Sequence, residues 1–338
     1  MSSPLVSIII LNWNGWEDTI ECLESIFQMN YENYEVVIVD NGSQDDSINK
    51  IIEWASGRLK TESPYFQYNV DNKPITCTVV HYNENDFSIL EENHSKIKIV
   101  SSSKNLGFAK GNNVGASFVL KTSKPKYMLI LNNDTVLARD FLSKAISFFE
   151  KTSDAGLVCP LILNYYNNEY WQGPAPERLN LINYLMFHTP LQNIFAKLPI
   201  LYSFKDRAQT IQVYSMPGCS MLFKSSVFEE IGLFDEFTFL GWEEYIVAEK
   251  LRIKHWKTYF FPESIVYHKI AKDTSKLDSV EKTLTMIRSE KYFHDTYNIF
   301  PSWQKLVIKL VKVTIYLIYS IKDTNYRKNL KRIIKALF

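Results

Sequence analysis

With 338 residues, 46% hydrophobic and 22% charged, the chain can bury a sizeable core, which excludes global disorder. Four scattered cysteines (Cys22, Cys77, Cys159, Cys219) without a CxxC pair argue against a zinc ribbon or disulfide framework and fit a reducing compartment. The net charge of +1 hides a basic end: Trp303 to Phe338 holds nine Lys or Arg against one Asp, a local +8 that leaves −7 on the rest.

Val6 to Leu11 is a β-branched run that predicts a buried strand. Lacking a basic leader and a small-residue cleavage site, it does not read as a signal peptide. After Asn12-Trp13-Asn14-Gly15, the stretch Glu17 to Gln28 places Ile20, Leu23 and Phe27 at helical spacing. Val36 to Val39 is a second apolar strand, ended by Asp40-Asn41-Gly42-Ser43, and a helix begins near Asp45 or Asp46 and runs to Trp54. This alternation is the signature of βαβ units and a parallel sheet. Residues 57–95 are polar and read as an insertion or hairpin. Strand character returns at Ile97 to Val100, and Asn105 to Gly115 leads into a helix through Leu120. Tyr127 to Leu131 is the next buried strand, closed by Asn132-Asn133-Asp134. Residues 164–215 hold aromatics and prolines without periodicity and suit a loop-rich lobe. Order resumes at Gly218 to Phe223 and at a helix starting near Trp242.

At the C-terminus, Leu330, Ile333, Ile334 and Leu337 share one helical face, opposite Arg327, Lys328, Lys331, Arg332 and Lys335. This is the pattern of an interfacial membrane helix. The longest uncharged run nearby, Val313 to Ile321, is far short of the ~20 residues that span a bilayer. The segment is therefore expected to lie on an anionic inner leaflet, or to pack against the body or a second subunit. A solvated charged face is the plainer alternative.

Ligands of open parallel sheets bind outside the carboxyl ends of the strands. Three polar clusters follow strand ends here: Asp40-Asn41-Gly42-Ser43, Asn105-Leu106-Gly107-Phe108 and Asn132-Asn133-Asp134. Each alone is an ordinary turn; together they outline a nucleotide crevice. No GxGxxG follows the first strand and no GxxxxGK[ST] occurs, so a dinucleotide fold and a P-loop are disfavoured.

Five segments taken in order resemble glycosyltransferase family 2: VSIIILNWNGWEDTIECLESI, YEVVIVDNGSQDDS, NLGFAKGNNVG, LILNNDTVL and GCSMLFKSSVFEEIGLFDEFTFLGWEEY. The third and fourth are similar to its rhamnosyltransferase-like branch. The resemblance covers roughly residues 5–270, apart from 57–95 and 164–215. It implies an α/β, Rossmann-like GT-A fold over 1–270, with a nucleotide-sugar half to about 135 and an acceptor half beyond, followed by a helical basic tail over 271–338.

The resemblance also implies roles. Asp40 would bind the nucleotide base beside Asn12 and Asn14; Asn41, Asn105, Gly107, Asn132 and Asn133 would line the donor site. Asp134 would ligate Mg²⁺ or Mn²⁺, with Asn132 replacing the family's first Asp and His268 as a further ligand. Glu244 would be the base of an inverting displacement, next to Glu243, where the family has Glu-Asp. Asp235 and Trp242 would stand on the acceptor side. Without the resemblance, Glu243-Glu244 reads as first-turn acids that suit a helix dipole, His268 as a packed imidazole and Trp242 as core.

The expected partners are a nucleotide-sugar donor (dTDP-rhamnose or a UDP-hexose), a saccharide or polyprenyl-linked acceptor, and an anionic membrane; a homodimer is an option and nucleic acid is not expected. The expected location is cytoplasmic, peripheral on the inner face of the plasma membrane, in surface polysaccharide synthesis. Rival readings are a sugar-nucleotide nucleotidyltransferase, a non-catalytic sugar-nucleotide or glycan binder, and a retaining paired-carboxylate enzyme.

Overall fold

The computed structural model describes residues 3–83, 86–88, 95–170, 173–189, 208–269 and 279–338. Strand β1 (Val6–Asn12) lies at the centre of the sheet. It runs parallel to β2 (Tyr34–Asn41) on one side and to β6 (Tyr127–Asn132) on the other. Its residues are buried on both faces, which is why it reads as a continuous apolar run rather than an alternation. Ile8 and Ile10 pack under α1 (Trp16–Ile26), α2 (Ser47–Ala55) and α4 (Phe141–Lys151). Ile9 faces the opposite layer, built on α3 (Gly107–Lys121), α6 (Ser225–Glu230) and α7 (Glu243–Ile253).

Among the described residues the strand order is β4 (Asp86–Ser88), β3 (Cys77–Asn83), β5 (Ile97–Ser102), β2, β1, β6, β10 (Ser220–Lys224), β8 (Ala155–Asn164), β11 (Lys257–His268) and β7 (Thr135–Leu137), with β9 (Ile211–Val213) beside β11. The run from β3 to β6 is parallel. Past it, β10 (Ser220–Lys224) lies antiparallel to β6 and β8 (Ala155–Asn164), and β11 (Lys257–His268) runs parallel to β8. The expected α/β fold is thus a mixed sheet with a parallel core.

Residues 57–95 are only partly an insertion. Within them β3 (Cys77–Asn83) joins the sheet parallel to β5 (Ile97–Ser102), and β4 (Asp86–Ser88) folds back on β3 as a hairpin. In the second half of β3 only Val80 and Tyr82 are buried, so no apolar run announced the strand. The preceding loop is pinned by fully buried Glu24, which accepts from Trp54 Nε1 at 3.0 Å, Lys73 Nζ at 2.9 Å and the Asn69 amide at 2.9 Å. The lobe at 164–215 contributes α5 (Leu181–Phe187) and β9 (Ile211–Val213). It is tied to α7 by Glu249, which accepts from Arg178 Nε and Tyr214 Oη, both at 2.7 Å. Residues 171–172 and 190–207 of that lobe lie outside the described residues, as does the 270/271 boundary.

The described part of the tail, residues 279–338, holds three helices: α8 (Ser279–Thr296), α9 (Ser302–Lys322) and α10 (Thr324–Leu337). Asp323 caps α10, accepting from the Asn325 amide at 2.7 Å. Ile333 and Leu337 are buried against Val280, Leu284 and Ile287 of α8. The apolar face read as membrane-seeking therefore packs on α8 within the tail. A helical period marks an apolar stripe without saying what will cover it. Among the described residues no helix is long and apolar enough to cross a membrane.

Candidate active site

The chain leaves β1 for β2 and β5 on one side and returns to β6 on the other, so the strand order reverses between β1 and β6. Such a reversal opens a crevice beyond the strand ends. Register places Asn12 beside Asp40, and Leu11 beside Asn132.

At the β1/β2 end the polar side chains satisfy one another. Asn12 Nδ2 donates to Asp40 Oδ1 at 2.9 Å, and Thr19 Oγ1 donates to Asn12 Oδ1 at 2.8 Å. Ser43 Oγ donates to Asp40 Oδ1 at 2.6 Å and accepts from the Asn14 amide at 3.0 Å. Asn14 holds a left-handed φ of 51°, and its side-chain oxygen accepts from the Gln44 amide at 2.6 Å. Asn41 donates to Asn105 Oδ1 at 3.1 Å and accepts from the Leu106 amide at 2.9 Å; Asn105 Oδ1 also accepts from the Gly107 amide at 2.8 Å. Gly107 has φ +81°, and a Cβ there would come 2.6 Å from the Phe239 carbonyl oxygen. Only glycine lets the start of α3 close on the loop before α7.

The β6 end is different. Asp134 follows β6, and His268 ends β11, which pairs with β7 (Thr135–Leu137) so that His268 stands opposite Thr135. Asp134 Oδ1 and His268 Nε2 are 3.2 Å apart, both residues nearly buried. Neither atom makes a hydrogen bond, and neither does His268 Nδ1. Buried polar atoms are seldom left this way. A carboxylate and an imidazole with free lone pairs fit a divalent cation. Among the described residues no group of three His, Cys, Asp or Glu could hold a metal, so the pair is a partial set to be completed by ligand or water oxygens. Asn133 is turned away: its amide donates to the Gly15 carbonyl at 3.2 Å and Thr19 Oγ1 at 3.1 Å, holding the start of α1. The Asn132 amide donates to the Cys219 carbonyl at 2.9 Å, joining this end to β10.

Next to that junction, the Gly218 amide donates to Glu244 Oε1 at 3.1 Å. A Cβ on Gly218 would stand 2.6 Å from the same oxygen, so a side chain there would displace the carboxylate. Burial raises the Glu244 carboxyl above its ordinary range. Glu243 is 4% exposed with Oε1 unpartnered; burial first, then the Glu244 charge, pushes it up to about 8. The helix N-terminus was expected to favour the charged form. Here desolvation outweighs it.

Trp242, 7% exposed at φ 73°, stacks on Phe293 at 5.5 Å between ring centroids and packs near Tyr184 and His294. The structure places it in the core, with no face offered to a sugar. Asp235 accepts from the Phe237 amide at 3.1 Å and from Tyr292 Oη at 2.5 Å, which fixes its loop to α8.

The sequence pattern of Glycosyl transferase family 2 matches residues 7–64 and 83–232, more than half of the chain. The chain belongs to this family. An uncharacterized glycosyltransferase of Haemophilus influenzae is 22% identical over 202 residues, 56% of this chain and 50% of its own length. A low-salt glycan biosynthesis hexosyltransferase of Haloferax volcanii is 22% identical over 240 residues, 71% of this chain and 59% of its own. The matched region thus spans between half and three-fifths of these curated relatives. Among solved structures, GalNAc-T7 with UDP, GalNAc and Mn²⁺ superposes with a TM-score of 0.56 at 16% identity, over 86% of this chain and 48% of that one. The mannosyltransferase PcManGT from Pyrobaculum calidifontis with GDP-Man and Mn²⁺ gives 0.50 at 13% identity, over 99% and 87%. These likenesses show the GT-A fold.

Family 2 motifs did not reveal everything at the site. Lys269, one residue past His268, donates its amide to the Asp134 carbonyl at 3.0 Å, and its ammonium pairs with Asp18 at 2.5 Å and with Glu21. Burial opposes its charge, but the hydrogen bonds to Asp18 and Glu21 more than offset this and raise its pKa. Asp18 and Glu21 sit on α1 while their partner lies about 250 residues away, so no local pattern marks the pair. Ser43 and Gly218 were visible within motifs but without roles. Their importance is a matter of approach distance, which spacing does not encode.

Proposed function

We propose that the chain is an inverting glycosyltransferase that moves one sugar from a nucleoside-diphosphate sugar to a hydroxyl of a saccharide or lipid-linked oligosaccharide. The observation that carries this reading is the closeness of two unlike groups. The Asn132 amide, in the same turn as Asp134, donates to the Cys219 carbonyl, and the neighbouring Gly218 amide donates to Glu244, which ties the Asp134–His268 end to the Glu244 carboxylate. Glu244 takes the proton as the acceptor oxygen bonds to the anomeric carbon. The carbon–oxygen bond to the nucleoside diphosphate breaks on the opposite face, which inverts the centre. Mg²⁺ or Mn²⁺, held by Asp134, His268 and diphosphate oxygens, would supply charge neutralisation for the leaving group. Asp40, oriented by Asn12 and Ser43, would accept from a nucleotide base. Support for a nucleotide-sugar donor comes from the solved neighbours, whose bound ligands are UDP and GDP-Man with Mn²⁺. The donor is a UDP-hexose or dTDP-rhamnose and the product a surface glycan; the relative named as a glycan biosynthesis hexosyltransferase supports hexosyl transfer onto a glycan.

The test is a nucleotide-sugar panel read by thermal shift, with and without Mn²⁺, on the wild type and Asp134→Ala. A donor that binds only the folded chain raises Tm by mass action. A shift that requires metal and Asp134, followed by product of inverted anomeric configuration by NMR, supports the reading. If no nucleotide sugar shifts Tm under any metal condition, the donor-site assignment fails.

A further inference from the structure

We propose that the outward face of α9 is a docking surface for an anionic lipid membrane. Five apolar residues are exposed along it: Trp303 at 61%, Leu306 at 52%, Leu310 at 55%, Leu317 at 44% and Ile321 at 72%. At about 100° per residue they fall within roughly 60° of one another, and at about 1.5 Å per residue the stripe is some 27 Å long. Ile318, 46% exposed, widens it. The polar residue within the stripe, Thr314, donates its hydroxyl back to the Leu310 carbonyl at 3.1 Å. The opposite side of α9 is anchored in the body by buried Ile308 and by Lys312, whose ammonium bonds Glu290. The helix cannot roll to hide its outer stripe without breaking that buried pair.

A contiguous exposed apolar stripe marks a binding surface. Charge selects the occupant. The segment from Trp303 to Phe338, which is α9 and α10, carries a local +8. Lys305, Lys312 and Arg332 of it pair with Asp295, Glu290 and Glu281 of α8, while Lys322, Lys328, Lys331 and Lys335 are exposed. A second copy would bring an equally charged segment to the same face and be repelled, whereas anionic headgroups complement it. An exposed apolar stripe in a segment rich in Lys and Arg, too short of apolar residues to span, is the pattern of a helix lying in the interface plane. The α10 stripe that sequence singled out is spent on α8; the surface left open belongs to its neighbour. Ile308 shares a core with Trp242, the residue before Glu243 and Glu244, so docking would hold the α7 end of the protein near the bilayer. The docking itself does not rest on the transferase reading.

The experiment is sedimentation of the full chain with phosphatidylcholine vesicles and with vesicles containing an equal share of phosphatidylglycerol. Wild type should bind the anionic vesicles, and the binding should weaken as salt rises. Leu310→Glu with Leu317→Glu should lower that partitioning by about tenfold or more, leaving Tm and any donor-induced shift unchanged because both positions are exposed. Lys328→Glu with Lys331→Glu should lower it by less. Equal binding to neutral vesicles, no binding at all, or indifference to the Leu310/Leu317 change overturns the proposal. A dimer in light scattering that the same change dissolves, without vesicle binding, assigns the surface to a second copy instead.

Discussion

At the ends of β1 and β2, Asn12, Asp40, Ser43, Asn41 and Asn105 each bond a partner inside the cluster. At the ends of β6 and β11 and the start of α7, Asp134, His268 and Glu243 bury polar atoms that bond nothing. The first arrangement is a rigid cradle, already satisfied before any ligand arrives. The second is held at a cost of about 1–3 kcal/mol for each unpartnered group, which a bound ligand can recover. Polar side chains thus satisfy one another in one region and are left unpartnered in the other, and the difference lies in what faces them.

The sharpest test of that contrast is Glu244→Gln. Turnover should fall by about 10² to 10⁴, with the donor-induced thermal shift kept; a loss under tenfold would break the assignment of the base. Gly218→Ala comes next, because its Cβ would press on Glu244 Oε1. Misplacing a catalytic group by about 1 Å costs on the order of 10²-fold, so kcat should drop far more than Tm. A pair of variants then compares the two ends directly. Asp40→Ala removes the buried acceptor shared by Asn12 Nδ2 and Ser43 Oγ and should lower stability by about 1–3 kcal/mol, read as a Tm lower by a few degrees. Asp134→Ala removes an oxygen that has no hydrogen-bond partner, so Tm should hold or rise while the metal-dependent part of the donor shift disappears. Equal losses in both would erase the distinction.

The smallest effect is on pH. Glu243 rises from 4.5 to about 8 in the fold, so the neutral form is favoured. Its contribution to stability is complete below about 4.5 and is lost as pH climbs through 8. Denaturant melts across that window should slope downward, and Glu243→Gln should flatten the slope.

Much of the donor side was legible because buried parallel strands are near-continuous apolar runs and their ends are punctuated by Asn, Asp and Gly. Strand β3 was not, since only Val80 and Tyr82 in its second half turn inward. The Lys269 pairing with Asp18 and Glu21 was hidden because the folding of β11 beside α1, and nothing local, brings them together.

Residue order alone determined the βαβ start, the polar clusters after Val39 and Leu131, and the one-sided apolar pattern of α10. Those are local properties, set by strand and helix periods and by turn chemistry. Tertiary structure decided which buried polar atoms stay unpartnered, and that Trp242 belongs to an aromatic core. It also decided that α10 turns its apolar side inward while α9 leaves one exposed. Each of these depends on which distant surface arrives to cover a given face, and a helical or strand period carries no record of that arrival.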